Sequence, residues 1–386
     1  MKKFKKFLLK WLIPIALGAA VGFLIIWLGR ATGDNESSLV DAMSENSLFD
    51  AIIGFAIALS SLLIGFFLHI IIHEAGHLVG GKLSGYNFVS FRIGNSVFIR
   101  KDGKFVRKKF GVAGTDGQCL MSPPDVADEQ YQYPFAFYNL SGGLANILIS
   151  IPLFIIGILI SGYLSIILLT FSISGTFLGL INLIPLELNG IANDGLNTIN
   201  CHKNLNGRRA FWIQSKFAGL ITQGIRVRDM PQEWVENVGV PVDALIGFLA
   251  TLRCSYLLDE GELEQAVDYI KTTIENPGKM LELQKNELLC ELLFCELVGE
   301  CRTDEIEKLY TKTLHKHIKA NSTHLSKYRL MYAYEKLYIR NETDFEKALA
   351  DFERACEHTP FVGEIAGERE LIERVNARSR VPNNHN

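Results

Sequence analysis

The sequence lacks the cysteine pattern that would organise a small fold around disulfides or a thiolate metal site. Its seven cysteines are scattered over 386 residues and none forms a CxxC pair, so reduced thiols are expected. Cys290, Cys295 and Cys301 are unsuitably spaced for one ion and read as packing residues. A dominant charge is missing too. The formal net charge is −3, and no basic surface interleaved with aromatics is present, which sets nucleic-acid binding aside. Charge of either sign is absent from residues 130–186, whereas long apolar runs all but disappear after residue 187, where acidic and basic residues are dense and mixed. These absences divide the chain into a membrane half and a soluble half.

A bilayer core takes roughly 20 apolar residues in a helix. Four runs reach that length. Trp11 to Gly29 follows the basic start MKKFKK and reads as an uncleaved anchor, its apolar run being longer than the usual signal-peptide core, with a signal peptide cleaved near Ala31-Thr32-Gly33 as the alternative; Ala51 to Ile72 is the second run. Gln130 to Leu186 is long enough for two spans, with the break expected at Ser161, Gly162 and Tyr163. Lysine and arginine mark the cytoplasmic side of short connections. Residues 30–50 carry only Arg30 against five acidic residues, while residues 81–134 carry Lys82, Arg92, Arg100, Lys101, Lys104, Arg107, Lys108 and Lys109. The N-terminus is therefore expected inside, 30–50 outside and 81 onward inside.

The second run leads into HIIIHEAGHLVG at residues 69–80, where ionisable groups at lipid depth are costly and point to function. Residues four apart share a helix face, so His73 and His77 can direct two imidazoles at one ion. Glu74 is offset around the helix, free to act on water without binding the metal. HExxH on a helix is the zinc-hydrolase pattern, with the glutamate as general base. A catalytic zinc site needs a third protein ligand. His69 lies on the same face, but three histidines along one straight helix spread over about 12 Å, too far to share an ion. It reads instead as a polar lining or a hydrogen-bonded interior group. Asp194, in NLIPLELNGIANDGLN, is the better ligand, and Gly195 beside it permits close backbone approach.

HEAGH ending one span, with NDG about 120 residues later at the end of another, resembles the site-2 protease family of intramembrane zinc metalloproteases. The resemblance covers roughly residues 50–200. It implies a three-helix metalloprotease core, a Zn2+ cofactor held by His73, His77 and Asp194, Glu74 as catalytic base, and a membrane-spanning peptide or protein as substrate. NLSGGLAN at 139–146 is similar to that family's middle span, which makes Asn146 a candidate substrate-binding residue; close helix packing through Ser141, Gly142 and Gly143 explains the stretch equally well. The family's usual third-span pattern is nearer NxxPxxPLDGG, so LELNGIANDGLN is a departure.

The fold class expected is mainly α: a polytopic membrane protein of about four transmembrane helices, a cytosolic β-hairpin insertion and a cytosolic solenoid-like helical domain. Residues 1–50 form the anchor and an acidic external loop. The metalloprotease core spans 51–202, with the hairpin at about 86–110 around Asp102-Gly103. Residues 203–250 make a juxtamembrane linker, whose stretch 207–228 reads either as a helix along the bilayer surface or as a plain linker helix. Residues 251–386 form a tetratricopeptide-like region, because Ala266, Ile306 and Ala348 align related stretches at intervals of 40 and 42 residues. That region would engage a cytosolic protein partner. The expected location is a bacterial cytoplasmic membrane, multi-pass, with N-terminus and C-terminal domain cytosolic. Two rivals remain at this level: a prenylated-protein type HExxH protease with a glutamate as third ligand, and a catalytically inactive scaffold working through its helical tail.

Overall fold

A computed structural model describes residues 45–101, 103–111, 116–126, 129–188 and 190–380. The expected first span, Trp11 to Gly29, lies outside them. Among the described residues, three helices are long and apolar enough to cross a membrane: α1 (Glu45–Leu83), α2 (Phe135–Leu159) and α3 (Tyr163–Leu183). The break between α2 and α3 falls where expected. Gly162 supplies it by adopting φ +79°, the left-handed region open to glycine without a Cβ clash.

The described residues pack as two units. The first, residues 45–73 and 143–181, is built from the three apolar helices and is held by small and hydroxyl side chains. Ser61 Oγ donates to Ile167 O at 3.2 Å, and Thr170 Oγ1 donates to Ser61 Oγ at 2.9 Å. A Cβ on Gly179 would stand 2.9 Å from Gly143 O, so these backbones meet closely because Gly179 carries no side chain. Packing through the glycine-rich middle helix is therefore real at Gly143.

The second unit, residues 74–142 and 182–380, begins within α1 and carries a four-stranded antiparallel sheet. Its strands are β1 (Asn87–Ile93), β2 (Ser96–Lys101), β3 (Lys104–Lys109) and β4 (Gly117–Ser122), in the order β3-β2-β1-β4. The β2–β3 hairpin pairs Lys101 with Lys104 across Gly103 at φ +77°, where the sequence predicts a turn; Asp102 lies outside the described residues. The insertion is larger than a hairpin, however, since β4 adds a fourth strand on the far side of β1. Alternation splits the sheet into two faces: Val97, Ile99 and Phe110 pack with Phe361 on one, while Phe91, Phe98 and Phe105 lie on the other.

The segment expected to be a juxtamembrane linker is a packed layer of this unit. Helix α5 (Leu205–Gln223) buries Ala210, Phe211, Trp212, Ile213 and Ile221. Trp212 meets Trp234 edge-on at 5.6 Å, and a Cβ on Gly219 would touch Ser122 of β4 at 3.0 Å. Its apolar face is thus occupied by protein, which removes the reading of a helix lying on a bilayer. Beyond it, helices α6 (Ala244–Glu260), α7 (Leu263–Glu275), α8 (Glu282–Val298), α9 (Thr303–Leu309), α10 (Lys312–Ala320), α11 (Leu325–Ala333), α12 (Glu342–His358) and α13 (Glu364–Ser379) share one apolar core that runs from Ala250 to Val375. Ala266 and Ile306 are fully buried there, and Ala348 packs against it. The three helices bearing these residues are 13, 7 and 17 residues long, so the 40- and 42-residue spacing is not matched by a repeat of element length.

Candidate metal centre

His73 and His77 sit one turn apart on α1, and Asp194 is the first residue of α4 (Asp194–Lys203). Their ligand atoms all lie within 4.8 Å of one another, and no other group of three histidine, cysteine or carboxylate donors is so arranged among the described residues. The divergent stretch before Asp194 explains its placement. Glu187–Leu188 pairs antiparallel with Ile191–Ala192, turning through Gly190 at φ +88°. This hairpin delivers the chain to Asn193, whose Oδ1 accepts from Leu196 N at 2.9 Å and from Leu186 N at 3.1 Å while Nδ2 donates to Ile184 O at 2.7 Å. Asn193 therefore caps α4 and ties its start to the end of α3. Gly195 completes the arrangement, since a Cβ there would stand 2.2 Å from Leu183 O.

The protonation pattern fits a cation. Nδ1–H of His77 donates to Tyr138 O at 2.8 Å, so Nε2 is the ring nitrogen left to meet another partner. That nitrogen faces Asp194 Oδ2 at 3.4 Å. An imidazole lone pair and a carboxylate oxygen repel unless a proton or metal ion lies between them. In a tetrahedral zinc site with bonds of about 2.0–2.1 Å, adjacent donors are separated by about 3.4 Å. The backbone carbonyl behind His77 also supplies the outer hydrogen bond that metal-binding histidines use to fix tautomer and ring orientation. His77 is buried, and Glu74, 9 % exposed, lies between the two histidines in sequence and outside the ligand set.

The remaining candidates separate clearly. His69 is fully buried in the first unit and donates from Nδ1 to Asn146 Oδ1 at 3.1 Å, so it is a hydrogen-bonded interior group and no part of the cluster. Asn146 is likewise fully buried, with its carboxamide oxygen taken by His69. Two neighbours were not legible from the sequence. Arg92, on β1 and 2 % exposed, donates to Gly94 O at 2.9 Å and to Gly117 O. Burial lowers its proton affinity while the charges of Glu74 and Asp116 act the other way, which places a guanidinium in the electrostatic field of the candidate base. Cys119 on β4 is pushed up to about 12, by burial and then by Glu74, and is an inert thiol. Both belong to a sheet whose fourth strand the sequence did not announce.

No known family model, curated protein or solved structure matches the chain.

Proposed function

We propose that the chain is an intramembrane zinc metalloendopeptidase of the site-2 protease type, cutting membrane-spanning peptides such as signal-peptide remnants, pheromone precursors or membrane-tethered regulators. The observation that carries this reading is the convergence of His73, His77 and Asp194 on one point with Glu74 between the histidines. Depth agrees with it. From Ile52, where the membrane-crossing part of α1 begins, to His73 a helix rises about 32 Å, close to the roughly 30 Å of a bilayer core. The cluster then lies at the cytoplasmic edge under the orientation that the loop charges favour. A late glutamate is absent from the cluster, which favours Asp194 over the prenylated-protein type of ligand set.

In this reading His73, His77 and Asp194 hold the ion. A zinc ion held there would supply Lewis acidity, making water acidic enough, at a pKa towards about 7, to be deprotonated near neutral pH. Glu74 takes the proton from the attacking water and passes it to the leaving amine. Tyr138 O keeps the His77 ring in register. Asn193 and Gly195 hold Asp194 in place. The helical domain binds a cytosolic protein partner that selects substrate or gates access. Membrane proteomics comparing wild type with Glu74→Gln tests the reading: single-span proteins should accumulate in longer form in the variant. A full cellular phenotype in Glu74→Gln cells, with no lengthened protein, would instead make the chain a scaffold.

A further inference from the structure

Beside the cluster, α1 and the sheet enclose a groove of about 480 Å³ lined by Ala75, Leu78, Lys82, Phe91, Phe98 and Arg100, with Phe88 and Phe105 completing it. Its volume is that of a ligand cleft. Phe105 is 70 % exposed and meets Phe88 edge-on, so large aromatic surface stands open here. Among the described residues neither Lys82 nor Arg100 has an ion-pair partner. The groove thus offers apolar area together with two cations that no described carboxylate pairs. Such a combination is complementary to a ligand that is apolar and then anionic.

The dimensions favour a peptide over a lipid surface. Phe98 and Arg100 alternate along β2 on one face, opposite Arg107 and Phe105 on β3. That two-residue spacing is the repeat of side chains on one face of an extended chain. The α1 side runs from Ala75, next to Glu74, to Lys82 in the last turn, a rise of about 10 Å and hence roughly three residues of extended peptide.

We propose that this groove receives the flank of the substrate chain, with an aromatic or large aliphatic side chain among the phenylalanines and a carboxylate about three residues from the scissile bond against Lys82 and Arg100. This rests on the hydrolase reading for the word scissile, but the binding itself does not require catalysis. An acidic flank would single out substrates from the many membrane proteins whose cytoplasmic ends are basic.

The test uses the full-length Glu74→Gln protein in nanodiscs of phosphatidylcholine and two fluorescein-labelled ten-residue peptides. Each contains a Leu-Phe pair, followed three residues on by Asp-Glu in one peptide and Lys-Lys in the other. Fluorescence anisotropy should show the acidic peptide binding roughly tenfold tighter. The double variant Lys82→Glu, Arg100→Glu should invert that preference, and Lys82→Gln, Arg100→Gln should abolish it, both with an unchanged thermal midpoint. Phe98→Ala should weaken both peptides alike. Equal affinity for the two peptides, or a preference that survives charge reversal, overturns the proposal. So does displacement of both peptides by short-chain phosphatidylglycerol but not phosphatidylcholine, which would assign the groove to lipid. Because no turnover is read, a failure here leaves the proteomic test of hydrolysis intact, and the converse holds.

Discussion

Replacing Gly195 by alanine should perturb the proposed metal centre without touching any of its three proposed ligands. A Cβ at this position would stand 2.2 Å from Leu183 O, 2.8 Å from its carbonyl carbon and 3.1 Å from Asn182 O. All three are backbone atoms, so no change of rotamer relieves the clash. The start of α4 must therefore move from the end of α3 by about 1 Å to restore ordinary contact, at about 1–3 kcal/mol for overpacking a tight site. Asp194 is the adjacent residue, and its Oδ2 stands 3.4 Å from His77 Nε2. A displacement of that size spoils the shared coordination point, and supporting contacts of this kind are worth about 10–100-fold in metal affinity. The expected result for Gly195→Ala is a fall of that order in zinc affinity, measured by competition with a chromophoric chelator on the purified full chain. The thermal midpoint should also fall, and zinc should raise it less than in wild type. Gly239→Ala is the control, because nothing lies within 4 Å of a Cβ there. An unchanged zinc affinity together with an unchanged midpoint in Gly195→Ala would refute the claim that close α3–α4 approach sets the third ligand.

Other outcomes follow from the same structure. Glu74→Gln should retain zinc in a metal-content measurement while cleavage of an identified substrate falls by roughly 10²–10⁴-fold, the usual loss of a general base. Asp194→Ala should lose its zinc in dialysis against a chelator that wild type withstands, whereas unchanged zinc content would restore the glutamate-ligand alternative. Arg329 is 1 % exposed, donates to Glu291 and Glu368 at 2.6 Å each and lies over the Phe294 ring. Arg329→Met leaves those carboxylates without their cation and should destabilise the helical domain by roughly 3–5 kcal/mol, seen as faster limited proteolysis. Burial alone would raise the Glu287 carboxyl, but Lys327 and His317 outweigh it and hold it at about 2. A depressed folded value means the stabilisation is full above the ordinary value of 4.5 and is lost as pH falls from there towards 2. Denaturant unfolding of wild type should show this acid slope, and Glu287→Gln should flatten it.

What could be read from the sequence was whatever depends on local pattern. HEAGH fixes its own geometry once it is helical, the uncharged run must break at a glycine to form two spans, and Gly103 between alternating residues permits a hairpin. What could not be read depends on partners distant in the chain. β4, with the sequence GQCLMS, carries little strand propensity and forms because β1 offers it an edge, with Phe91 opposite Cys119. The aromatic and basic stretch 207–228 suits a bilayer surface by composition, yet β4 and Trp234 cover it. Asn193 was within reach: an Asn-Asp-Gly run before a helical pattern is an N-cap signal as well as a turn signal. Read that way, the residue that positions Asp194 emerges from LELNGIANDGLN despite its departure from the family pattern.

The polar groups of α1 form two tiers, and the difference between them separates architecture from chemistry. In the upper tier His69 presents its N–H to the carboxamide oxygen of Asn146, donor to acceptor, which is how a buried imidazole is ordinarily accommodated. One and two turns further on, His77 has committed Nδ1–H to Tyr138 O and turns its other ring nitrogen towards a carboxylate oxygen, with His73 adding a third ligand atom within 4.8 Å, so that with a neutral imidazole acceptor would face acceptor. Such an arrangement is unfavourable at low dielectric until a positive charge enters it. A proton can bridge only two of the three atoms, whereas a divalent ion engages all of them at once. The lower tier is therefore expected to bind zinc with release of protons, so that affinity climbs as pH rises from 5 to 8. Zinc titrations of the Glu74→Gln protein across that range check the inference, and a pH-independent affinity would mean that the imidazole and carboxylate are not the ligands.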